Sequence, residues 1–443
     1  MKKNRHSTQV GCFPRFFLFL LGLLCLAQPA IAEDPDYSGD LLKRSTLTGD
    51  WGGARNELAR KGITFDISQV FTEQGVVHGG KDRSWEDGGR GRLLLNADTG
   101  KMGLWPGGFL TAELEWNFGK AVNLKTGGLM PADMNQIAPV PGEEGVALPA
   151  LNFTQFLSEY GGVVVGKIDT MGGDTNEFAH GKGDTQFMNL ALNVNPALLM
   201  TVPYSPLGAG LVILPNKDPE AAIVSLLALS ALGKASTSGF EALNDDSLTY
   251  NGEARVRTGF FGLTGHQLLG VIYSNKDRTS TDQRLDLEPG SRLIERKTDS
   301  WSFYYNFDQY LYEPVKGSGK GLGLFGRFAV TDGNPNFIQY FYSLGIGGKG
   351  VMKERPHDRF GIGWYYVDIK SPTVEGPFAT REFLRDEQGV EAYYSFALTP
   401  WAHLTPNVQY IHGAQRQTVA LLPANRSDVG DATIMGLRLQ LQF

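Results

Sequence analysis

The chain has 443 residues, of which 42% are hydrophobic, 11% aromatic and 20% charged, with 56 glycines and a formal net charge of −6. The acidic balance disfavours nucleic acid as a partner. The length allows one large or two ordinary domains, and the many glycines and aromatics favour β structure.

Lys2, Lys3, Arg5 and Arg15 precede or flank the start of an apolar run, FFLFLLGLLCLA (Phe16–Ala27), and the small-residue site Ala30-Ile31-Ala32 follows. This is the pattern of a secretory signal peptide over residues 1–32, with a mature chain starting near Glu33. A membrane anchor would need about 20 apolar residues, more than the run supplies. Lipoprotein processing at Cys25 is disfavoured by the large Leu24 before it. Cys12 and Cys25 both leave with the leader, so the exported chain has neither a disulfide framework nor thiol chemistry. It keeps 37 Lys and Arg against 47 Asp and Glu, a net charge of −10.

The next segment, TGDWGGARNELARKGITF, can form a short helix over Ala54–Lys61, capped by Thr48 or Asp50 and ended by Gly62. From Gly62 onward the chain alternates. In FLTAELEWNF, Leu110, Ala112, Leu114, Trp116 and Phe118 share one face, and Thr111, Glu113, Glu115 and Asn117 the other. RGRLLLNAD, DSWSFYYNFD and VEAYYSFALT repeat the pattern, as does ATIMGLRLQLQF ending at Phe443. Period-2 runs are half-apolar strands. Here the second face carries charges at mid-strand and aromatics crowd the apolar face near strand ends, as in a transmembrane barrel with lipid outside and water inside. AAIVSLLALSALG (Ala221–Gly233) is too short for a membrane helix and reads as a buried or lipid-facing strand.

Connections alternate as well. Short ones lie at 100–108, at Gly161-Gly162, 216–220, 261–266, 314–320 and Thr399-Pro400. Long ones lie near 119–152, 170–210, 231–248, 275–298, 370–388 and 413–431. The fold class expected is all-β: an antiparallel transmembrane barrel of about sixteen strands over 62–443. The N-terminal segment, 33–61, is then a periplasmic piece packed on or into the barrel mouth; an ordered surface helix without a role is the alternative.

In chain order, LTGDWGGARNELARKGITFDISQV (47–70), GLWPGG (103–108), VVVGKIDT (163–170), FMNLALNVNP (187–196) and PYSPLGAG (203–210) form a recognisable series. GHQLLGVIYSN (265–275), GLGLFGRFAVTDGNPN (321–336), IGGKG (346–350), RPHDRFGIGWYY (355–366) and Phe443 complete it. The series covers essentially the whole exported chain and resembles the carbohydrate-selective outer-membrane porins of the OprB type. The resemblance implies a sixteen-stranded barrel, usually a homotrimer, that passes sugars. It also implies that Phe443 on the amphipathic last strand is a signal read by the outer-membrane assembly machinery. The outer loops depart from the pattern at 131–150 and 279–297, which leaves loop-dependent selectivity open.

Catalytic motifs are sparse. His266, His357, His403 and His412 are scattered, with no H-x-x-x-H pair and no G-x-S-x-G elbow. GLGLFG satisfies G-x-G-x-x-G but lies in a strand-like run with no helix after it. An outer-membrane hydrolase assembled from separate strands remains a competing reading, as do a general diffusion porin without a sugar site and a non-transport surface protein. No metal spacing stands out, and no cofactor is expected. A pore needs inward groups that replace part of a sugar's hydration. Arg92, Glu113, Glu115, Lys167, Asp169, Arg255, Arg257 and Arg327 fall on the polar phase of their strands, as do Arg90, Glu253 and Arg438. Cross-strand bracing is the alternative role for each. Both signs are present, which favours a neutral substrate. The third outer loop, 170–210, is the candidate constriction, through Asp174, Glu177, Phe178, His180, Lys182 and Asp184, with Phe187 and Tyr204 beside them; an outward loop at the trimer contact or cell surface is the alternative.

Overall fold

In the computed structural model, residues 35–137, 145–284, 294–371, 373–375, 384–417 and 427–443 are described. The expected signal peptide lies outside them, as do 138–144 and 285–293 within the two loops that depart from the family pattern. Sixteen antiparallel strands close into one barrel. They are β1 (Ile63–Gly80), β2 (Trp85–Asp98), β3 (Gly108–Gly119), β4 (Ala147–Ser158), β5 (Gly161–Lys167) and β6 (Pro206–Ile213). Then come β7 (Ala222–Gly233), β8 (Leu248–Thr258), β9 (Gly265–Ser274), β10 (Ser300–Tyr312) and β11 (Gly321–Thr331). β12 (Ile338–Lys349), β13 (Arg359–Ile369), β14 (Glu387–Thr399), β15 (Ala402–His412) and β16 (Gly430–Gln442) complete the wall. Closure runs through β1 and β16, with Ser68 opposite Gln442 and Gln74 opposite Gly436. Closure leaves no unpaired sheet edge in lipid.

Alternation sorts the wall as its period requires. Leu110, Tyr250, Val271, Leu344, Ile362, Val408 and Leu437 are exposed on the outside, while Glu113, Glu115, Arg327 and Arg438 are buried inside. Exposed aromatics such as Phe118, Tyr160, Trp301, Tyr312 and Trp364 belong to the same outer face. Ala222–Gly233 is a strand. The turn placed at Gly161-Gly162 lies instead just before them, because both glycines pair with β4 and β6.

The short helix is present as α1 (Ala54–Arg60), but its cap differs from expectation. The N-cap is Gly53 in a left-handed conformation, without a side-chain cap bond. The Asp50 carboxylate accepts from Gly52 N–H, while the Asp50 carbonyl accepts from Arg55 N–H (2.9 Å). Arg55 holds the helix to the barrel. Its guanidinium donates to the carbonyls of Phe65 (2.6 Å) and Phe443 (2.9 Å) and lies 4.0 Å from the Tyr37 ring centroid.

The lumen is filled on one side by the connection between β5 and β6, residues 168–205. It contains two single-turn helices, α2 (Leu190–Asn193) and α3 (Pro196–Leu199), each started by an asparagine. Asn189 and Asn195 side chains accept from the N–H groups of Ala191 (3.0 Å) and Ala197 (3.2 Å), which satisfies orphan donors at each start. Phe178, Phe187, Leu192 and Ala197 pack against wall residues Tyr304, Phe325, Phe341, Tyr365 and Tyr393 in one apolar cluster. The wall makes room with glycine. A Cβ at Gly323 or Gly347 would stand 2.3 or 2.6 Å from Phe178.

Candidate functional site

Because the loop is seated over β8 to β15, the free part of the lumen is displaced to the opposite wall. There a chamber of about 740 Å³ is lined by β16, β1, β2, β3 and β4, by the loop tip, and by Pro35, Tyr37, Ser45 and Thr46 from the N-terminal segment. That volume lies within the roughly 300–1,000 Å³ common for small-molecule sites.

The loop tip is held by wall side chains. Arg90 donates to Asp184 (2.6 Å) and to the Lys182 carbonyl (3.2 Å). Arg438 donates to the carbonyls of Gly183 and Gln186 (2.5 and 2.9 Å). Arg327 donates to Asp174 (2.8 Å) and to the carbonyls of Ala179 (2.6 Å) and Asn193 (3.1 Å). Glu391 accepts the N–H groups of Met188 and Asn189 (2.7 and 2.8 Å). Glu387 does the same for Leu129 and Met130 of the loop between β3 and β4 (2.5 and 3.1 Å). Charge-assisted bonds of this kind are short and strong.

At the chamber, charges of both signs interlock. Arg92 meets Glu113 at 2.5 Å. Lys182 reaches Glu113 (3.0 Å), Glu115 (3.5 Å) and Asp169, while Tyr204 Oη donates to Glu115. Burial pushes the Lys182 ammonium down, but Asp169, Glu115 and Glu113 outweigh it and hold its pKa above the usual lysine value. Burial, seconded by the Arg327 charge, lowers His180 to about 4, so the ring is neutral at pH 7. Its Nδ1 is buried without a hydrogen-bond partner. Such an atom is costly unless something bonds it.

Arg92, Glu113, Asp169, His180, Lys182 and Asp184 therefore line one chamber. Other expected residues lie elsewhere. Glu115 is fully buried behind Lys182 and Arg90. Asp174 and Phe178 are covered by the wall, and Glu177 accepts from Tyr310 Oη (3.0 Å) under the loop. Arg327 is spent on loop carbonyls. Lys167 donates to the carbonyls of Ala235 (3.4 Å) and Thr237, bracing the loop after β7. Arg255 and Arg257 sit on the lumenal phase of β8, on the wall facing away from the chamber, and Arg257 is at the rim, 3.9 Å from Asp218. Phe443 donates its N–H to the Ile67 carbonyl (2.8 Å). Sequence reasoning missed Tyr37, Asp66, Ser68, Gln440 and Gln442 in the lining, and Glu387 and Glu391 as loop anchors. A mid-strand carboxylate on the lumenal phase without an adjacent cation was the available signal for Glu391; Glu387, the first residue of β14, carried none.

The pattern that defines the carbohydrate-selective porin, OprB family, matches residues 82–443, and the chain belongs to that family. It is 23% identical to Porin B of Pseudomonas aeruginosa over 100% of this chain and 99% of that protein. It is 26% identical to the putative porin QuiX of Acinetobacter baylyi, a match that spans 42% of each. The fold is similar to the high-pH structure of Pseudomonas putida OprB, with a TM-score of 0.74 at 20% identity over 90% of this chain and 99% of that one.

Proposed function

We propose, from membership of this porin family, that the chain is an outer-membrane channel through which carbohydrates diffuse passively and selectively. The observation that carries the reading at the level of the site is the lateral chamber beside the inward loop, with paired charges of both signs on its wall. Charged groups bond strongly to hydroxyls, and pairing them keeps the net field small enough for rapid release. Arg92, Glu113, Asp169, Lys182 and Asp184 are assigned to sugar hydroxyls. No bond of the substrate need be broken, so we read the chain as a channel and not an enzyme. In the same reading the leader 1–32 is removed on export, and 35–61 form a periplasmic segment narrowing the exit. The assembly is a homotrimer, and Phe443 is recognised by the assembly machinery.

Liposome swelling tests the reading. Monosaccharides should enter faster than amino acids of similar mass, and glucose should block single-channel current saturably. Equal rates for both solute classes, with no block, would replace it with a general diffusion pore.

A further inference from the structure

Along the sequence the inward charges are of both signs. In space some are paired and some are not. At the chamber acids and bases are paired, Arg92 with Glu113 and Lys182 with Glu113 and Asp169, whereas the short-turn ends of β11, β12, β13 and β15 gather Lys320, Lys349, His357, Arg359 and His403. Lys349 and Arg359 are direct partners across β12 and β13. Both are on the lumenal phase, since Leu344, Ile346 and Ile362 face outward. Like charges directly opposite each other destabilise a sheet. Gly321 is the β11 partner of Lys349, which brings the adjacent Lys320 to the same corner. His403 is the partner of Gln440, a residue that lines the chamber, so the basic strip runs to the chamber's edge.

Nearby acids do not neutralise the strip. Asp358 is taken by Arg355 (2.8 Å), by Tyr394 Oη (2.8 Å) and by the Ala397 N–H (2.9 Å). Glu177, on the loop above, accepts from Tyr310 Oη (3.0 Å) and acts on both Lys349 and Arg359, but this one carboxylate offsets only part of the charge of Lys320, Lys349 and Arg359. Lys353 and Glu354 of the turn are exposed to solvent. Among the described residues, Lys320, Lys349 and Arg359 have no ion-pair partner within 4.0 Å, and Arg359 Nε is buried without a hydrogen bond. Burial, Lys320, Lys349 and Arg359 together hold the His357 imidazole below its ordinary range. Half-buried cations without partners are unfavourable, and an anion would relieve them. A guanidinium beside an ammonium suits a carboxylate or phosphate, which each can engage through charge-assisted bonds.

We propose that this strip is an anion subsite at the short-turn end of the lumen, with Lys349 and Arg359 as its binding pair. Its ligand is the carboxylate or phosphate of an acidic sugar. The subsite rests on the sugar-channel reading and names a substrate class within it. A neutral sugar meets the chamber alone; an acidic sugar meets the chamber and then the strip.

The test uses the purified full chain in planar bilayers, with gluconate, glucose 6-phosphate and glucose as blockers. Half-block by at least one of the two acidic sugars should come at about tenfold lower concentration than by glucose, the scale of one charge-assisted hydrogen bond. The two acidic sugars distinguish carboxylate from phosphate recognition. Lys349→Gln/Arg359→Gln should abolish the preference and leave glucose block unchanged. Removing a like-charge pair also relieves repulsion, so the variant should retain a heat-modifiable barrel; Lys349→Gln alone should give an intermediate loss. Equal block by all three sugars in the parent, or an undiminished preference in the variants, overturns the subsite while glucose block keeps the channel reading. If none of the three blocks, both readings fall.

Discussion

At the residue scale, Lys182 bears the most opposing charge. It sits at the loop tip with φ near 52°, between Glu113, which also meets Arg92, Glu115, which also meets Arg90, and Asp169, whose ion-pair partner among the described residues is Lys182. Removing one partner of a buried ion pair costs about 3–5 kcal/mol because the remaining charge is uncompensated. Lys182→Gln should therefore lower the unfolding midpoint and shift the reversal potential toward cations; an unchanged reversal potential would remove Lys182 from the conducting path. His180 gives a pH signature. Its folded value of about 4 lies below the ordinary imidazole value near 6.5. The folded state then binds fewer protons than the unfolded one, so this group's share of stability is full above about pH 6.5 and lost as pH falls toward 4. Burial raises Glu177, which acts in the opposite sense. His180→Gln isolates the imidazole: loop fluctuation, read as current noise, should rise on acidification in the parent and less in the variant.

At the element scale, the connection 168–205 is an internal wall more than a flexible loop. Its apolar side is complementary to glycine-backed sites on β11 and β12, and its carbonyls end on Arg90, Arg327 and Arg438. Arg327→Met removes the bonds to Ala179 and Asn193 and leaves Asp174 buried without its cation. The expected outcome is a barrel that still inserts but conducts more, with long-lived open levels, because the anchors are lost and the β-ladder is not. Gly347→Val should have the same effect by displacing Phe178. Parent-like conductance in both variants would show that the loop does not limit flow.

At the scale of the whole molecule, the barrel is a sorting surface between lipid and water. Ile362 is 53% exposed on the outer face, and Gln440 lines the chamber. Ile362→Arg should cost about 2–4 kcal/mol if it lies near the bilayer midplane, whereas Gln440→Arg should cost much less. Urea titration in lipid vesicles compares them; a reversed order would mean that the strand phase is wrong.

The sequence by itself determined the barrel, because a period of two with one apolar face has a single arrangement once every backbone group must be bonded in lipid. It also placed Arg92 and Glu113 on the lumenal phase and marked 170–210 as the third outer loop, whereas Asp169, read as a strand residue, lies past the end of β5 in that loop. It could not say that the loop would cover β8 to β15 and leave the opposite wall free. That choice depends on Phe178 against Gly323 and Gly347, and on loop carbonyls and N–H groups meeting Arg327, Arg438 and Glu391. These partners are more than a hundred residues from the loop and have no local signature. For the same reason Arg255 and Arg327 looked equivalent to Arg92: strand phase says that a side chain points inward, and only tertiary packing decides whether it meets water, a loop or another charge.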